Sequence, residues 1–246
     1  MISVIIPSLN EPYLEKTVAD IQQHAVGEIE ILVGDDAVEK LGQRALMNKL
    51  ARQAKGEYIM KCDAHCSFGP GFDKIMLEDM DDKTIMAPFL LPLDGETWTL
   101  SNNRHSSFVF DTNLVMHHAP NNDELVNETM CLQGSCFLTT TENYWKWNLC
   151  DQSYGSWGQQ AVELGIQAYL HGGVCKTTKK TYYGHVFRHN EIDFPYKRDN
   201  APGKRANELM KQRFLNKSIA GLIEKFDFPL DWTPEKVNEL PENVKL

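Results

Sequence analysis

Residues 61 to 68, "KCDAHCSF", place Asp63 and His65 two positions apart. Side chains two apart on extended backbone point the same way. A carboxylate and an imidazole so placed can hold one divalent ion and leave part of its coordination shell open. Such an ion can bridge a diphosphate and neutralise the charge that builds as it departs. Carboxylate with imidazole suits manganese, with zinc as the alternative. As a bare tripeptide, Asp-x-His is common on surface turns; position in the fold has to give it meaning. The flanking Cys62 and Cys66 have neither C-x-x-C spacing nor a second matching pair, so they read as packing residues.

The elements around this tripeptide supply the position. "ISVIIPS" is a β-branched run closed by Pro7 and Ser8, the pattern of a buried strand. "EPYLEKTVADIQQHA" repeats apolar residues at helical spacing (Leu14, Val18, Ile21, Ala25). "EIEILVGDD" is a second strand. "KLGQRALMNKLARQAKG" is a second helix, with Leu41, Leu46, Leu50 and Ala54 on one side and Gly56 as its C-terminal cap. "EYIMKCD" is a third strand ending at the Asp-Ala-His. Strand–helix alternation with short links predicts a parallel α/β sheet with right-handed crossovers. Ligands of such sheets bind outside the carboxyl ends of the strands. Ser8 to Glu11, Asp35 with Asp36, and Asp63 to His65 are therefore expected to face one crevice. Farther on, "CLQGSCFLTT" predicts a Gly-Ser turn and a strand, and "SWGQQAVELGIQAYLHGG" a helix stopped by Gly172 and Gly173. "CKTTKKTYYGHVFRH" reads as a last strand, and "KRANELMKQRFLNKSIAGLIEKF" as one helical segment of a polar tail.

The chain has 246 residues, 42% of them hydrophobic, enough for one large domain with a tail. No apolar run reaches the roughly 18 to 20 residues of a membrane span, and "MISVIIPSLNEP" lacks the basic and small-residue features of a signal peptide. A soluble, cytoplasmic protein is the expectation. Six cysteines in a chain of this size do not form the dense framework of a small secreted protein and are expected as thiols. The net charge of −9 argues against a nucleic-acid partner, yet residues 176–217 hold eleven Lys/Arg against four Asp/Glu. That stretch is either a solvated surface or a basic lip facing an anionic substrate.

Four motifs, in order, resemble the catalytic domain of polypeptide N-acetylgalactosaminyltransferases. "GQRALMNKLARQAKGEYIMKCDAHCSF" is similar to the first half, with its Gly-headed helix and strand ending in Asp-x-His-Cys, a DXD-like motif. "WGQQAVELGIQAYLHGG" followed by "GHVFR" is similar to the second half, and Asp151 precedes Trp157 at the family's spacing. "SVIIPSLNE" and "ILVGDDA" resemble the wider group of GT-A glycosyltransferases. The resemblance covers roughly residues 2 to 190. It implies an α/β GT-A (Rossmann-like) fold, a mostly parallel central sheet flanked by helices with a short helical C-terminal tail. A nucleotide-binding half (1–100), an acceptor and catalytic half (101–190) and an extension (191–246) are expected.

Carried over by position, the resemblance implies that Asp63, His65 and His185 bind Mn2+ or Mg2+. It places Ser8, Glu11, Asp35 and Asp36 around the nucleoside, with Arg44 or Lys40 nearby. Gly134 and Ser135 would approach the donor sugar, Trp157 would line the cleft, and Arg188 would contact the diphosphate. Gln160 stands where the family has Glu, so a carboxylate is missing; Glu163 and Asp151 remain as candidate bases. Front-face attack assisted by the leaving diphosphate needs no protein nucleophile, which slightly favours a retaining outcome. The expected activity is metal-dependent transfer from a nucleotide-sugar donor, a UDP-sugar first, to a hydroxyl acceptor. An anionic polymer such as hydroxylated-base DNA, or a cell-surface glycan, fits the basic stretch. A GT-A nucleotide-binding module without turnover and a sugar nucleotidyltransferase are the alternatives.

Overall fold

A computed structural model describes residues 1–188, 194 and 199–242. Strand β1 (Ile2–Ser8) is buried throughout and pairs in parallel with β2 (Ile29–Asp35) and β3 (Tyr58–Cys62). Helices α1 (Leu14–His24) and α3 (Gln43–Ala51) make the two crossovers, the second preceded by the single turn α2 (Asp36–Glu39). After the Asp-Ala-His come β4 (Cys66–Phe68), α4 (Phe72–Glu78) and β5 (Thr84–Pro92). Short strands β6 (Phe108–Phe110), β7 (Met116–His118) and β8 (Val126–Thr129) lead into β9 (Cys136–Thr140) and α5 (Thr141–Lys146). Helix α6 (Gln160–Leu170) then feeds the long β10 (Val174–His185).

The main sheet runs β2-β1-β3-β9-β5-β10-β4, with β8 also on β10. It is mixed: β9 enters between β3 and β5 and is antiparallel to both, while β10 is parallel to β5 and antiparallel to β4 and β8. Alternation divides the core between the two faces. Val4, Ile6, Met60 and Leu138 belong to one apolar cluster, and Ile5, Ile59 and Phe137 to the other.

The C-terminal segment forms α7 (Ala201–Phe214), α8 (Ala220–Lys225) and α9 (Pro234–Asn238). The expected single helix is broken at Leu215 and Asn216, where the Asn216 side chain accepts from the Ser218 amide and starts a new turn. Ala206, Met210, Phe214, Trp232 and Val237 join the larger core cluster, and the Trp232 indole donates to the Phe110 carbonyl at 3.0 Å. Gly56 is not a helix cap, because α3 stops at Ala51. It instead sits where a Cβ would lie 2.7 Å from the Ser3 amide nitrogen, so β1 and the approach to β3 can touch. Leu41 is 45% exposed rather than on the helix's buried side. The stop after α6 is as expected, with Gly172 at a φ of 73°. All six cysteines are buried and unpaired, Cys62 and Cys66 among them, so both are packing residues. Among the described residues, no helix is long and apolar enough to cross a membrane.

Candidate active site

Strand β3 ends at Cys62, but its pairing carries on one residue: the Asp63 amide donates to the Ser135 carbonyl at 2.8 Å. Ala64 is buried, which turns Asp63 and His65 to the other side. The end of β10 comes in against them, the Val186 amide donating to the His65 carbonyl at 3.1 Å. Gly184 makes that approach possible, since a Cβ there would meet Ser67 Oγ at 2.4 Å and Leu100 Cδ2 at 2.5 Å. Asp63, His65 and His185 are thereby brought together, one ligand atom of each lying within 4.8 Å of the others.

His185 Nε2 is 3.2 Å from Asp63 Oδ2, and His65 Nε2 is 3.9 Å from the same oxygen. Burial pushes the His185 imidazole down to about 4, outweighing the Asp63 hydrogen bond that raises it. It is therefore neutral near pH 7, the form that ligates metals. Burial also acts to raise Asp63, but the Lys61 charge, the His185 hydrogen bond and both imidazoles hold its carboxyl far below the ordinary range. One carboxylate oxygen and two imidazole nitrogens converge here, a donor set that could hold a divalent cation. Glu11 Oε2 lies 3.3 Å from His65 Nδ1, the partner that fixes the ring with Nε2 toward Asp63. Glu11, expected against the nucleoside, thus contacts His65 of the triad.

Lys61 belongs to this centre and the sequence reading missed it. Its side chain is 2% exposed, its ammonium contacts Asp63 Oδ1, and it donates to the Gly134 carbonyl at 2.7 Å. Gly134 and Ser135 are next to the triad through these bonds, and Ser135 Oγ meets the Tyr183 hydroxyl at 2.9 Å. A lysine in "YIMKC", a strand buried on both sides, was the available signal.

Other expected residues shape the crevice wall. Ser8 Oγ donates to the Gly34 carbonyl at 3.0 Å, tying β1 to β2. Asp35 Oδ1 accepts from the Asn10 and Ala37 amides, and Asp36 Oδ1 from the Leu41 and Gly42 amides. Lys40 is the left-handed residue that ends α2. The Arg188 guanidinium lies over the Phe194 ring at 4.8 Å. Trp157 packs against α7, since a Cβ on Gly203 would meet its ring at 2.5 Å.

Four of the expected residues form a separate, buried cluster. Arg44 is 1% exposed; its guanidinium pairs with Glu163 at 2.7 Å and donates to the Asp151 and Gly158 carbonyls. Glu163, 0% exposed, also accepts from the Asp151 amide at 2.9 Å and from Gln160 at 3.2 Å. Burial pushes the Glu163 carboxyl up to about 7 against the pull of Arg44, while Arg44, which burial would lower, is raised by the charge of Glu163. Asp151 is bound by Arg213 of α7 at 2.5 Å. Arg44, expected near the nucleotide, and Glu163 and Asp151, expected as candidate bases, are thus joined to one another, to the Gly158 carbonyl and to α7.

The basic stretch is not one continuous lip. Lys176 pairs with Asp81, Lys180 with Asp79 and Arg213 with Asp151, while Lys197 and Arg198 lie outside the described residues. A cavity of about 450 Å3 lies at the end of β10 beside Val186, the residue after His185, and is lined in part by Tyr13, Leu93, Asp94, Glu96, Val186 and Phe187.

No family model matches the chain. It is 27% identical over 173 residues to a Drosophila melanogaster protein named "putative polypeptide N-acetylgalactosaminyltransferase 13", covering 65% of this chain and 31% of that protein. It is 23% identical to human polypeptide N-acetylgalactosaminyltransferase 12 over 67% of this chain and 30% of the relative. The chain thus spans about a third of the length of the curated relatives it matches. Among solved structures, GalNAc-T7 with UDP, GalNAc and Mn2+ superposes with a TM-score of 0.75 at 14% identity, over 98% of this chain and 55% of that one. S. aureus TarS 1-349 with UDP-GlcNAc gives 0.58 at 16% identity, over 92% and 72%. The fold is that of the GT-A glycosyltransferases, and the sequence resembles, distantly, the N-acetylgalactosaminyltransferases.

Proposed function

We propose that this chain is a metal-dependent glycosyltransferase that moves a sugar from a UDP-sugar to a hydroxyl acceptor. The observation that carries it is the convergence of Asp63, His65 and His185, from two strand ends of a GT-A sheet, close enough together to hold one divalent cation. A cation bound there supplies positive charge opposite the diphosphate that leaves the sugar. Asp63, His65 and His185 would hold it, with Glu11 keeping His65 in orientation. Asp35 and the β1 end form the wall against which the nucleoside lies, and Arg188 meets the diphosphate. The bond from the sugar's anomeric carbon to the β-phosphate oxygen breaks as the acceptor oxygen bonds to that carbon. Glu163 and Asp151 are occupied by Arg44 and Arg213. The acceptor's proton therefore passes to the departing phosphate, consistent with a retaining, front-face transfer.

The acceptor occupies the cavity beside His185. Asp94 and Glu96 in its lining favour a neutral glycan hydroxyl over nucleic acid, whose phosphates they would repel. UDP-GalNAc and UDP-GlcNAc are the first donors to try, because similar folds bind UDP with GalNAc, or UDP-GlcNAc. The test is product release from a panel of UDP-sugars with Mn2+, with Mg2+ and with EDTA. Metal-dependent UDP release from one sugar supports the proposal. Pyrophosphate release from UTP would instead make it a nucleotidyltransferase, and UDP binding with no release a module without turnover.

A further inference from the structure

We propose that Lys61 is a built-in counter-cation that makes binding of the divalent metal conditional on the nucleotide diphosphate. This rests on the metal site assigned above and adds a residue to it. Lys61 sits in the middle of the sheet, in register with Ile5 of β1 and Phe137 of β9, both fully buried. A lysine is rarely enclosed in this way unless it is paired. Its partners here are Asp63 Oδ1 and the Gly134 carbonyl.

The contact divides the two oxygens of one carboxylate. Oδ1 is taken by the ammonium, and Oδ2 faces His185 Nε2 at 3.2 Å and His65 Nε2 at 3.9 Å. Asp63 can therefore offer a metal one oxygen rather than two. Its charge is also already offset by the Lys61 ammonium that holds Oδ1, and among the described residues Glu11, on the far side of His65, is a further carboxylate in contact with the group. A dication approaching this centre meets weak attraction and a nearby positive charge. The diphosphate brings the missing negative charge, so metal and nucleotide bind with strong mutual coupling.

The test is Mn2+ binding to the full chain, followed by the electron paramagnetic resonance signal of free Mn2+, without and with UDP. Binding of Mn2+ to UDP in solution is measured separately and subtracted. Wild-type chain is expected to bind Mn2+ about 100-fold more tightly with UDP than without, within the range of strong site coupling. Lys61→Met is expected to tighten Mn2+ binding about 10-fold or more in the absence of UDP, since a repelling unit charge a few ångströms away is gone, and to shrink the gain given by UDP. Lys61→Gln, which keeps a donor to Asp63 without the charge, is expected to shift affinity the same way and stands in if the Met variant does not fold. Unchanged or weaker Mn2+ affinity in a natively melting Lys61→Met or Lys61→Gln chain overturns the role, as does wild-type binding equally tight with and without UDP. No Mn2+ binding by any chain under either condition overturns the metal site itself, a pattern distinct from failure of Lys61 alone.

Discussion

Truncating Glu163 separates a structural carboxylate from a catalytic one. Glu163→Ala leaves the Arg44 guanidinium at 1% exposure with its charge partner gone, along with the Asp151 amide that Glu163 accepts from. Removing one member of a buried ion pair costs about 3 to 5 kcal/mol. For a domain of this size, each kcal/mol moves the melting temperature by about 2 to 4 °C, so a fall on the order of 10 °C is expected. An accessible base with no packing role would cost less than about 0.5 kcal/mol, a shift of under about 2 °C. The assay is thermal unfolding by circular dichroism of Glu163→Ala, Arg44→Met and the double variant Arg44→Met/Glu163→Leu. The double variant should melt closer to wild type than either single one, because an apolar pair leaves no charge stranded. A Glu163→Ala chain that melts within 2 °C of wild type yet loses activity would refute the reasoning and return Glu163 to the chemistry.

Glu11→Gln, which removes the carboxylate behind His65, should raise the Mn2+ concentration for half-maximal UDP release about 10- to 100-fold, with little change in melting. Gly184→Ala should destabilise by about 1 to 3 kcal/mol through overpacking against Ser67 and Leu100; calorimetric melting checks this, and its displacement of neighbouring His185 should weaken Mn2+ binding. For Asp151, burial acts to raise the carboxyl, but the Ser153 hydrogen bonds and Arg213 leave it below its ordinary value. A folded pKa below the unfolded one means stability that is present above the unfolded value, about 3.9, and is lost as pH falls through the folded one. Asp151→Asn should therefore flatten the acid limb of a plot of stability against pH, measured by urea titration below about pH 4.

Local pattern made the first strands and helices of the sheet legible. The β-branched run of β1, the helical spacing of Leu46 and Leu50, and the Asp-Ala-His at a strand end all depend on neighbours in sequence. The third member of the triad did not: His185 lies 122 positions from Asp63, and only family resemblance joined them. Lys61 was passed over because a strand lysine ordinarily marks an exposed face, whereas β9 inserts beside β3 and encloses it. The same insertion puts an antiparallel strand inside the mostly parallel sheet that was expected. The pairing of Arg44, Glu163 and Asp151 was hidden for a related reason. Charged residues near conserved-type motifs suggest chemistry, but here long-range pairing consumes their charge, and no spacing rule announces a pair 119 residues apart. The break at Asn216 rests on a side-chain cap inside an otherwise continuous helical pattern.

The central claim, that Asp63, His65 and His185 hold one divalent ion against a nucleotide diphosphate, is tested most directly by diffraction from crystals grown with Mn2+ and UDP, recorded at the manganese absorption edge. A single anomalous peak bonded to Asp63 Oδ2, His65 Nε2 and His185 Nε2, and touching the diphosphate, is the predicted result. UDP bound in the crevice with no anomalous peak at that triad, or with the peak held by other side chains, would contradict it.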